Sequence, residues 1–286
     1  MNEETLRVPN ENDADQVARL LSEGSPEPVG SDSVLRDWSF PGVRTELDVR
    51  LGSGSYAFVD GFGDGRVWIE VAGRPTAELL DWAEMRAREL GSRLLSGGWT
   101  AQEPVLRELE RRGFGLVRTS YRMGIDLAEP APEPVWPDGV GARAFEPGDE
   151  QIVYDLHQEA FKDSWEPIEE TYDQWAYQFL VPEVLAPTLW TLAVSGDEPA
   201  GFAICHPHAV RGDLGWVRVL GVRRTFRGRG LGRALLLRAF AQFRHHGMTR
   251  AGLGVDATSP TGANRLYESA GMRVYAQFAV YEKDAS

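Results

Sequence analysis

The sequence lacks the residues that would place it in an oxidising compartment or in a membrane. It has a single cysteine, Cys205, among 286 residues, so no disulfide can form within the chain and a reducing compartment is expected. No run approaches the ~18 apolar residues of a membrane-spanning helix. The N-terminal stretch MNEETLRVPN has neither the basic nor the apolar region of a secretion signal. We therefore expect a cytoplasmic protein that does not bind membranes.

Positive charge is also scarce. The formal net charge is -13 at pH 7, and all of the basic residues except Lys162 and Lys283 are arginines. Because nucleic acids are bound through basic surfaces, no nucleic-acid partner is expected. An acidic chain suits a cationic substrate, but acidity is also a common route to solubility, and the composition leaves both interpretations open.

A proline-rich stretch divides the chain nearly in half. Residues 128–138, AEPAPEPVWPD, hold four prolines, which exclude a helix and favour extended geometry. The two halves end alike, in VLRELERRGFGLVRTSYRMGIDL and ANRLYESAGMRVYAQFAVYEKDA, each with a helix, a glycine stop and a strand. The sequence therefore predicts a tandem duplication, with domains at 1–127 and 139–286 and a linker at 128–138.

The second half mixes strand and helix patterns. Apolar runs typical of strands lie at 140–145, 189–194, 200–206, 214–222 and 251–256. Helical patterns lie at 149–161, at 168–180, at 231–246 and from a cap at Ser259 to Ala270. This order predicts an α/β domain with a mixed sheet.

Arginine and glycine are concentrated where the strand LGWVRVLGV meets a helix. Five arginines and three glycines stand between Arg223 and Leu237. Unpaired N–H groups at a helix N-terminus attract anions, glycines let the backbone approach a ligand, and arginine forms charge-assisted bonds to phosphate. The stretch lacks the lysine of a P-loop and the G-x-G-x-x-G spacing of a dinucleotide site. It has instead R-x-x-G-x-G, from Arg227 to Gly232, which favours a phosphate site of another kind over a solvated turn.

This pattern, with the strand before it and SPTGANRLYESAGM after it, resembles the acetyl-CoA loop and closing helix of the GCN5-related N-acetyltransferases. The resemblance implies two such domains in tandem, with the N-terminal one degenerate because it lacks the loop and has Leu109 at the position of Tyr267. It implies acetyl-CoA as the acetyl donor and no metal. The cofactor-binding residues that it implies are Leu220, Gly221, Val222, Arg227, Gly228, Arg229, Gly230, Leu231, Gly232 and Arg233.

The resemblance also implies a mechanism of direct transfer. A backbone N–H of the strand at 220–222 would hold the oxyanion, and Tyr267 would protonate the departing thiolate; a purely structural role for Tyr267 is the alternative. The acceptor amine must lose a proton, and Glu166, Asp163, Asp213 and His206 are candidate bases. We favour Glu166 because it lies between two helices that commonly wall the acceptor pocket in this family.

The tandem layout and the segment AFKDSWEPIEETYDQW look like the mycothiol-synthase-like branch of the family. The chain departs from that branch at Trp216, near the place of a substrate-binding glutamate, so the acceptor is not carried over. Trp165, Glu166 and Trp175 are predicted to contact a small cationic amine, such as an aminoglycoside-like antibiotic. A protein amine, or a non-catalytic CoA-binding module, are the alternatives. We expect a monomer or a homodimer.

Overall fold

The computed structural model describes residues 5–162, 170–181, 185–208, 210–259 and 262–285. The helices there are α1 (Ala14–Ser22), α2 (Ser31–Trp38), α3 (Thr45–Asp48), α4 (Ala77–Leu90), α5 (Glu103–Arg111), α6 (Glu150–Phe161), α7 (Tyr172–Phe179), α8 (Leu231–His245) and α9 (Ala263–Ser269). The strands are β1 (Val49–Leu51), β2 (Ser55–Gly61), β3 (Arg66–Gly73), β4 (Arg93–Trp99), β5 (Gly115–Asp126), β6 (Gly141–Ala144), β7 (Thr191–Ser195), β8 (Glu198–Pro207), β9 (Leu214–Val222), β10 (Arg250–Asp256) and β11 (Arg273–Asp284). None of the helices in these ranges is long and apolar enough to cross a bilayer.

The chain divides into two compact units. The first comprises Met1–Ser120 and Ala276–Ser286, and the second comprises Tyr121–Tyr275. The last residues of the chain therefore group with the N-terminal half, unlike the boundaries at 127 and 139 expected from the sequence. The reason is that β11 pairs antiparallel with β4, a strand far from it in the sequence. This pairing runs from Phe278↔Trp99 to Asp284↔Arg93.

The first unit is a sheet with helices on both faces. Its strand order is β1-β2-β3-β4-β11, with β3 and β4 parallel and the other neighbours antiparallel. Alternate residues of β3 face α4, so that Val67, Ile69 and Val71 pack with Leu79 and Ala83 in one core. Tyr56 and Phe58 of β2 face the other way and pack with α1 and α2.

The second unit repeats this architecture. Its strand order is β5-β10-β9-β8-β7-β6, in which β9 and β10 are parallel and the strands from β9 to β6 are antiparallel. The buried side of α8 forms one core with the sheet, and α6 and α7 form another core on a different part of it. The predicted α/β fold with a mixed sheet is confirmed.

The two halves share the backbone geometry that the alignment of their helix ends assumed. The N–H of Phe114 donates to the carbonyl of Leu109 at 3.1 Å, and the N–H of Met272 donates to the carbonyl of Tyr267 at the same distance. In both places the intervening glycine has a positive φ. Leu109 and Tyr267 therefore occupy the same place in their helices.

Two helices begin later than the sequence pattern indicated. Helix α7 follows Thr171, whose hydroxyl accepts from the N–H of Gln174 while the Gln174 side chain accepts from the Thr171 N–H. This capping box makes Thr171 the N-cap of α7. Residue 168, where the sequence pattern placed the start, lies outside the described residues. Helix α9 begins after Gly262, at φ +72°, and not directly after Ser259.

Candidate active site

Strands β9 and β10 run side by side and then separate. Their parallel pairing extends from Leu214↔Arg250 to Val217↔Leu253, although β9 continues to Val222. On its other edge β9 stays paired with β8 as far as Gly201↔Val222. In these described strands, the backbone edge of β9 that faces β10 is thus open beyond Val217. An extended ligand with amide groups fits such an edge as an added strand does.

A β-bulge stands at the point of separation. Ile204 of β8 pairs with Val219, whereas the next residue, Cys205, pairs with Val217. Arg218 is therefore the extra residue. A bulge bends its strand and increases the local twist, which explains why β9 leaves β10 here. No sequence pattern indicated the bulge.

The loop after β9 leads into α8 through two glycines in the left-handed conformation. Gly228 has φ +73° and Gly230 has φ +86°, and a Cβ added at either would meet no atom within 4 Å. Gly230 is the N-cap of α8, and no side chain caps the helix. The first N–H groups of α8 thus face open space, which fits a pyrophosphate.

The third glycine of the loop has a different role. A Cβ at Gly232 would lie 2.9 Å from Cδ1 of Leu266, so this glycine allows the first turn of α8 to pack against α9. Because Tyr267 directly follows Leu266, the same contact brings the helix of the candidate acid next to the loop.

The arginines of the loop divide into two groups. The guanidinium of Arg227 donates to the carbonyls of Val222, at 3.1 Å, and Ala160, at 2.9 Å, and so ties the loop to β9 and α6. Arg229 is exposed, with its guanidinium 5.4 Å from the ring centre of Phe226 and one long bond, at 3.4 Å, to the carbonyl of Asp138. Arg233, in the first turn of α8, makes no hydrogen bond or ion pair with the part of the chain described here. Arg229 and Arg233 are therefore better placed than Arg227 to meet phosphate.

Tyr267 is buried in the core between α8, α9 and the sheet. Its hydroxyl makes no hydrogen bond to any described residue. Burial raises the pKa of this phenol to about 12. The phenol is therefore protonated throughout the neutral range, which is the form that a general acid needs.

Two of the predicted bases are not suited to that role. Asp213 accepts from Arg250 at 2.7 Å and 3.0 Å, and this bonding lowers the pKa of Asp213. It also precedes β9, at the end away from the loop. Nδ1 of His206 donates to the carbonyl of Pro207, 2.8 Å away. Burial first, and then the charge of Arg218, lower the pKa of His206 to about 4, too weak for an alkylammonium.

The predicted acceptor residues fall in different places. Glu166, Trp165 and Asp163 lie outside the described residues. Trp175 is fully buried, with its ring centre 5.4 Å from that of Phe179, in the core beneath α6 and α7. Its ring has no accessible surface, so we assign Trp175 to packing in this structure. An aromatic residue at helical spacing is hard to assign to a core or a pocket from sequence.

The corresponding turn of the first unit is closed. There β3 leads into α4 through Gly73, where a Cβ would lie 2.3 Å from the carbonyl oxygen of Gly54. The hydroxyl of Thr76 caps α4 by accepting from the N–H of Leu79 at 3.3 Å. This turn therefore lacks the space seen at α8, and the N–H of Leu79 in its first turn is already bonded.

Comparisons with known proteins agree with this geometry. The model of the acetyltransferase (GNAT) family matches residues 151–272. A mycothiol acetyltransferase of Thermobispora bispora is 34% identical over 77% of this chain and 79% of its own length. One from Acidothermus cellulolyticus is 33% identical over 73% of this chain and 71% of its own length.

Solved structures extend the likeness to the whole chain. A GCN5-related N-acetyltransferase from Sphaerobacter thermophilus superposes with a TM-score of 0.82 and 30% identity, covering 100% of this chain and 96% of that one. A tandem GNAT protein from the clavulanic acid biosynthesis pathway gives a TM-score of 0.76 at 15% identity, covering 99% of both chains, which shows the fold alone. The open loop, the separated strands and these relatives identify the chain as a tandem N-acetyltransferase of the GNAT family.

Proposed function

We propose that the second unit transfers an acetyl group from acetyl-CoA to a primary amine of a small molecule. The observation that carries the proposal is the open edge of β9, which leads directly into the uncapped N-terminus of α8. The residues fit the donor: the N–H groups after Gly230 would hold the pyrophosphate, with Arg229 and Arg233 beside them. When bound, acetyl-CoA supplies a thioester that is activated toward amines.

The residues of the second unit supply the remaining chemistry. The open backbone N–H groups of β9 beyond the bulge at Arg218 would stabilise the oxyanion that forms at the carbonyl under attack. Tyr267 would then give its proton to the sulfur. A pKa of about 12 is high for an acid that protonates a thiolate. An apolar surrounding, however, disfavours the thiolate as well as the phenolate, so it raises the proton affinity of the sulfur as well as that of Tyr267.

The acceptor is the finer part of the proposal. Glu166 as base, and a cationic amine held beside it, stay predictions about residues 163–169. Among the described residues, Arg218 is exposed, with its guanidinium 4.7 Å from the ring centre of Phe179, and His206 is neutral. The preference for a cation therefore depends on the carboxylates of the sequence segment between α6 and α7.

A screen for thiol release tests this function. The full chain is mixed with acetyl-CoA and a panel of amines that includes polyamines, aminoglycosides, amino sugars and peptides, and free CoA is measured. We expect release to depend on a small primary amine. Release with peptides alone would favour the protein-directed alternative, and no release above hydrolysis with any amine would favour a non-catalytic CoA-binding module.

Acetyl-CoA is expected to bind once per chain. The second unit has the open loop, whereas Gly73 and Thr76 close the corresponding turn of the first unit. Isothermal titration calorimetry with acetyl-CoA, on protein whose active concentration is known, should give a stoichiometry of one. Two equivalent sites per chain would contradict the asymmetry between the turns.

A further inference from the structure

A carboxylate stands among aromatic rings on one face of the first unit. Glu70 of β3 is directly opposite Phe58 of β2, and Trp68 lies two residues earlier on the same face of β3. Directly opposite residues on antiparallel strands have Cβ atoms about 5 Å apart, so the side chains of Phe58 and Glu70 are neighbours on this face. Alternate residues of β3 point into the core with α4, which leaves Glu70 on the other side of the sheet.

Two more rings stand on the side of Glu70 that faces β4. The last pair between β3 and β4 is Ile69↔Ser96. The next residue of β4, which lies beside Glu70, is Gly97, so no side chain of β4 stands there. The ring of Phe278 occupies that space, with one carbon 2.9 Å from where a Gly97 Cβ would be. This ring stacks on Trp68 at 6.2 Å and meets Trp99 edge-on at 5.1 Å. We call Glu70 with Phe58, Trp68, Trp99 and Phe278 the aromatic-walled carboxylate.

The carboxylate of Glu70 has no hydrogen bond and no ion pair with any residue that the structure describes. Burial, and then the charge of Asp37 on α2, raise its pKa to about 7. Burial also raises the pKa of Asp60, which is paired with Trp68, and of Tyr56 on β2. Burial also raises the pKa of Asp37, to about 6, although the charge of Arg36 acts in the opposite direction. No described basic residue has such an effect on Glu70.

This arrangement is electrostatically unfavourable without a partner. The faces of aromatic rings carry negative potential, so rings beside an unpaired, half-buried carboxylate add to its cost. A cation between the rings would reverse both effects, since it neutralises the carboxylate and is attracted to the ring faces. Rings offer no lone pairs to a hard metal ion, which needs six or more oxygen ligands if it is calcium.

We propose that the aromatic-walled carboxylate binds a small organic ammonium ion. The site lies outside the acetyl-transfer chemistry proposed for the second unit. The parallel pairing of β3 with β4 starts at Arg66↔Arg93, and that of β9 with β10 starts at Leu214↔Arg250. Counted from these starts, Trp68 corresponds to Trp216, and Glu70 corresponds to the bulge residue Arg218. The two units thus carry opposite charges at corresponding positions, and the negative charge, which suits a cation, is in the first unit.

Tetramethylammonium and butylammonium chloride are the probes, titrated calorimetrically into the full chain at pH 8 against sodium chloride of equal ionic strength. We expect saturable binding of at least one probe, with one site per chain. Glu70→Gln, which keeps the volume and removes the charge, should weaken it at least about tenfold, the factor expected for about 1.4 kcal/mol. Trp68→Leu, which removes one ring and keeps the charge, should weaken it severalfold.

Asp64→Asn is the matched control, since it also removes one negative charge from the first unit. Asp64 is exposed and forms an ion pair with Arg66. It should bind the probes as the wild type does. Lowering the pH to 5 protonates Glu70 and also Asp37, whose pKa burial raises to about 6, and should weaken binding by wild-type protein at least about tenfold. Absence of saturable binding by wild type, or equal binding by Glu70→Gln, overturns the proposal; the pH series decides it if the variants do not fold.

Discussion

Replacing Tyr267 with phenylalanine is expected to lower the turnover number by roughly 10²–10⁴, the usual contribution of a general acid. The ring stays in the core and only the hydroxyl is lost, so the dissociation constant of acetyl-CoA should remain close to that of the wild type. Because burial holds the pKa of this phenol at about 12, the acid stays protonated, and the wild-type rate should show no alkaline fall from it below about pH 11. Steady-state kinetics with the amine found by the screen, and calorimetry with acetyl-CoA, provide both measurements.

Tyr281→Phe is the control for this loss. Tyr281 is also buried, and its hydroxyl lies 3.0 Å from a carboxylate oxygen of Glu110 in the first unit. Removing that hydroxyl tests what a lost phenol costs in folding alone, and turnover should be unchanged. If Tyr267→Phe retains full turnover, water and not Tyr267 protonates the sulfur. If both variants lose activity together, the effect is one of stability.

The loop could be predicted from the sequence because its determinants are local. A strand, two glycines and the start of a helix follow each other within residues 214–231, and each feature depends on neighbours in the chain. The equivalence of Leu109 and Tyr267 was accessible for the same reason, since a helix end with its glycine is a local signal. The structure adds the positive φ angles that explain why Gly228 and Gly230 are glycines, and the packing on Leu266 that explains Gly232.

The remaining features depend on contacts between residues far apart in sequence. The separation of β9 from β10 follows from the bulge opposite Ile204 and Cys205, which is a property of strand pairing. The grouping of β11 with the first unit is likewise a matter of pairing with β4. The contacts of the loop arginines could not be predicted from the sequence either. The spacing R-x-x-G-x-G does not reveal that the guanidinium of Arg227 is bonded to two backbone carbonyls.

Gly230→Val is expected to weaken acetyl-CoA binding by roughly 10²–10⁴. A branched side chain at this N-cap would enter the open space in front of α8 and displace the phosphate from the N–H groups. Hydrogen bonds to a charged group contribute about 1.5–3 kcal/mol each, and losing two of them corresponds to this factor at 1.4 kcal/mol for each tenfold change. Calorimetry with acetyl-CoA measures the effect directly, without any need to know the acceptor.

The strain of the substitution must be separated from the loss of the site. Valine at φ +86° is strained by about 1–2 kcal/mol wherever it stands. Gly247, just past the other end of α8, has φ +80° and equally open surroundings. Gly247→Val should therefore lower the melting temperature about as much as Gly230→Val, while acetyl-CoA binding stays intact. Unweakened binding by Gly230→Val would mean that the pyrophosphate does not lie at the N-terminus of α8. Equal loss of binding in both variants would mean that the stability of the helix, and not the space in front of it, controls the site.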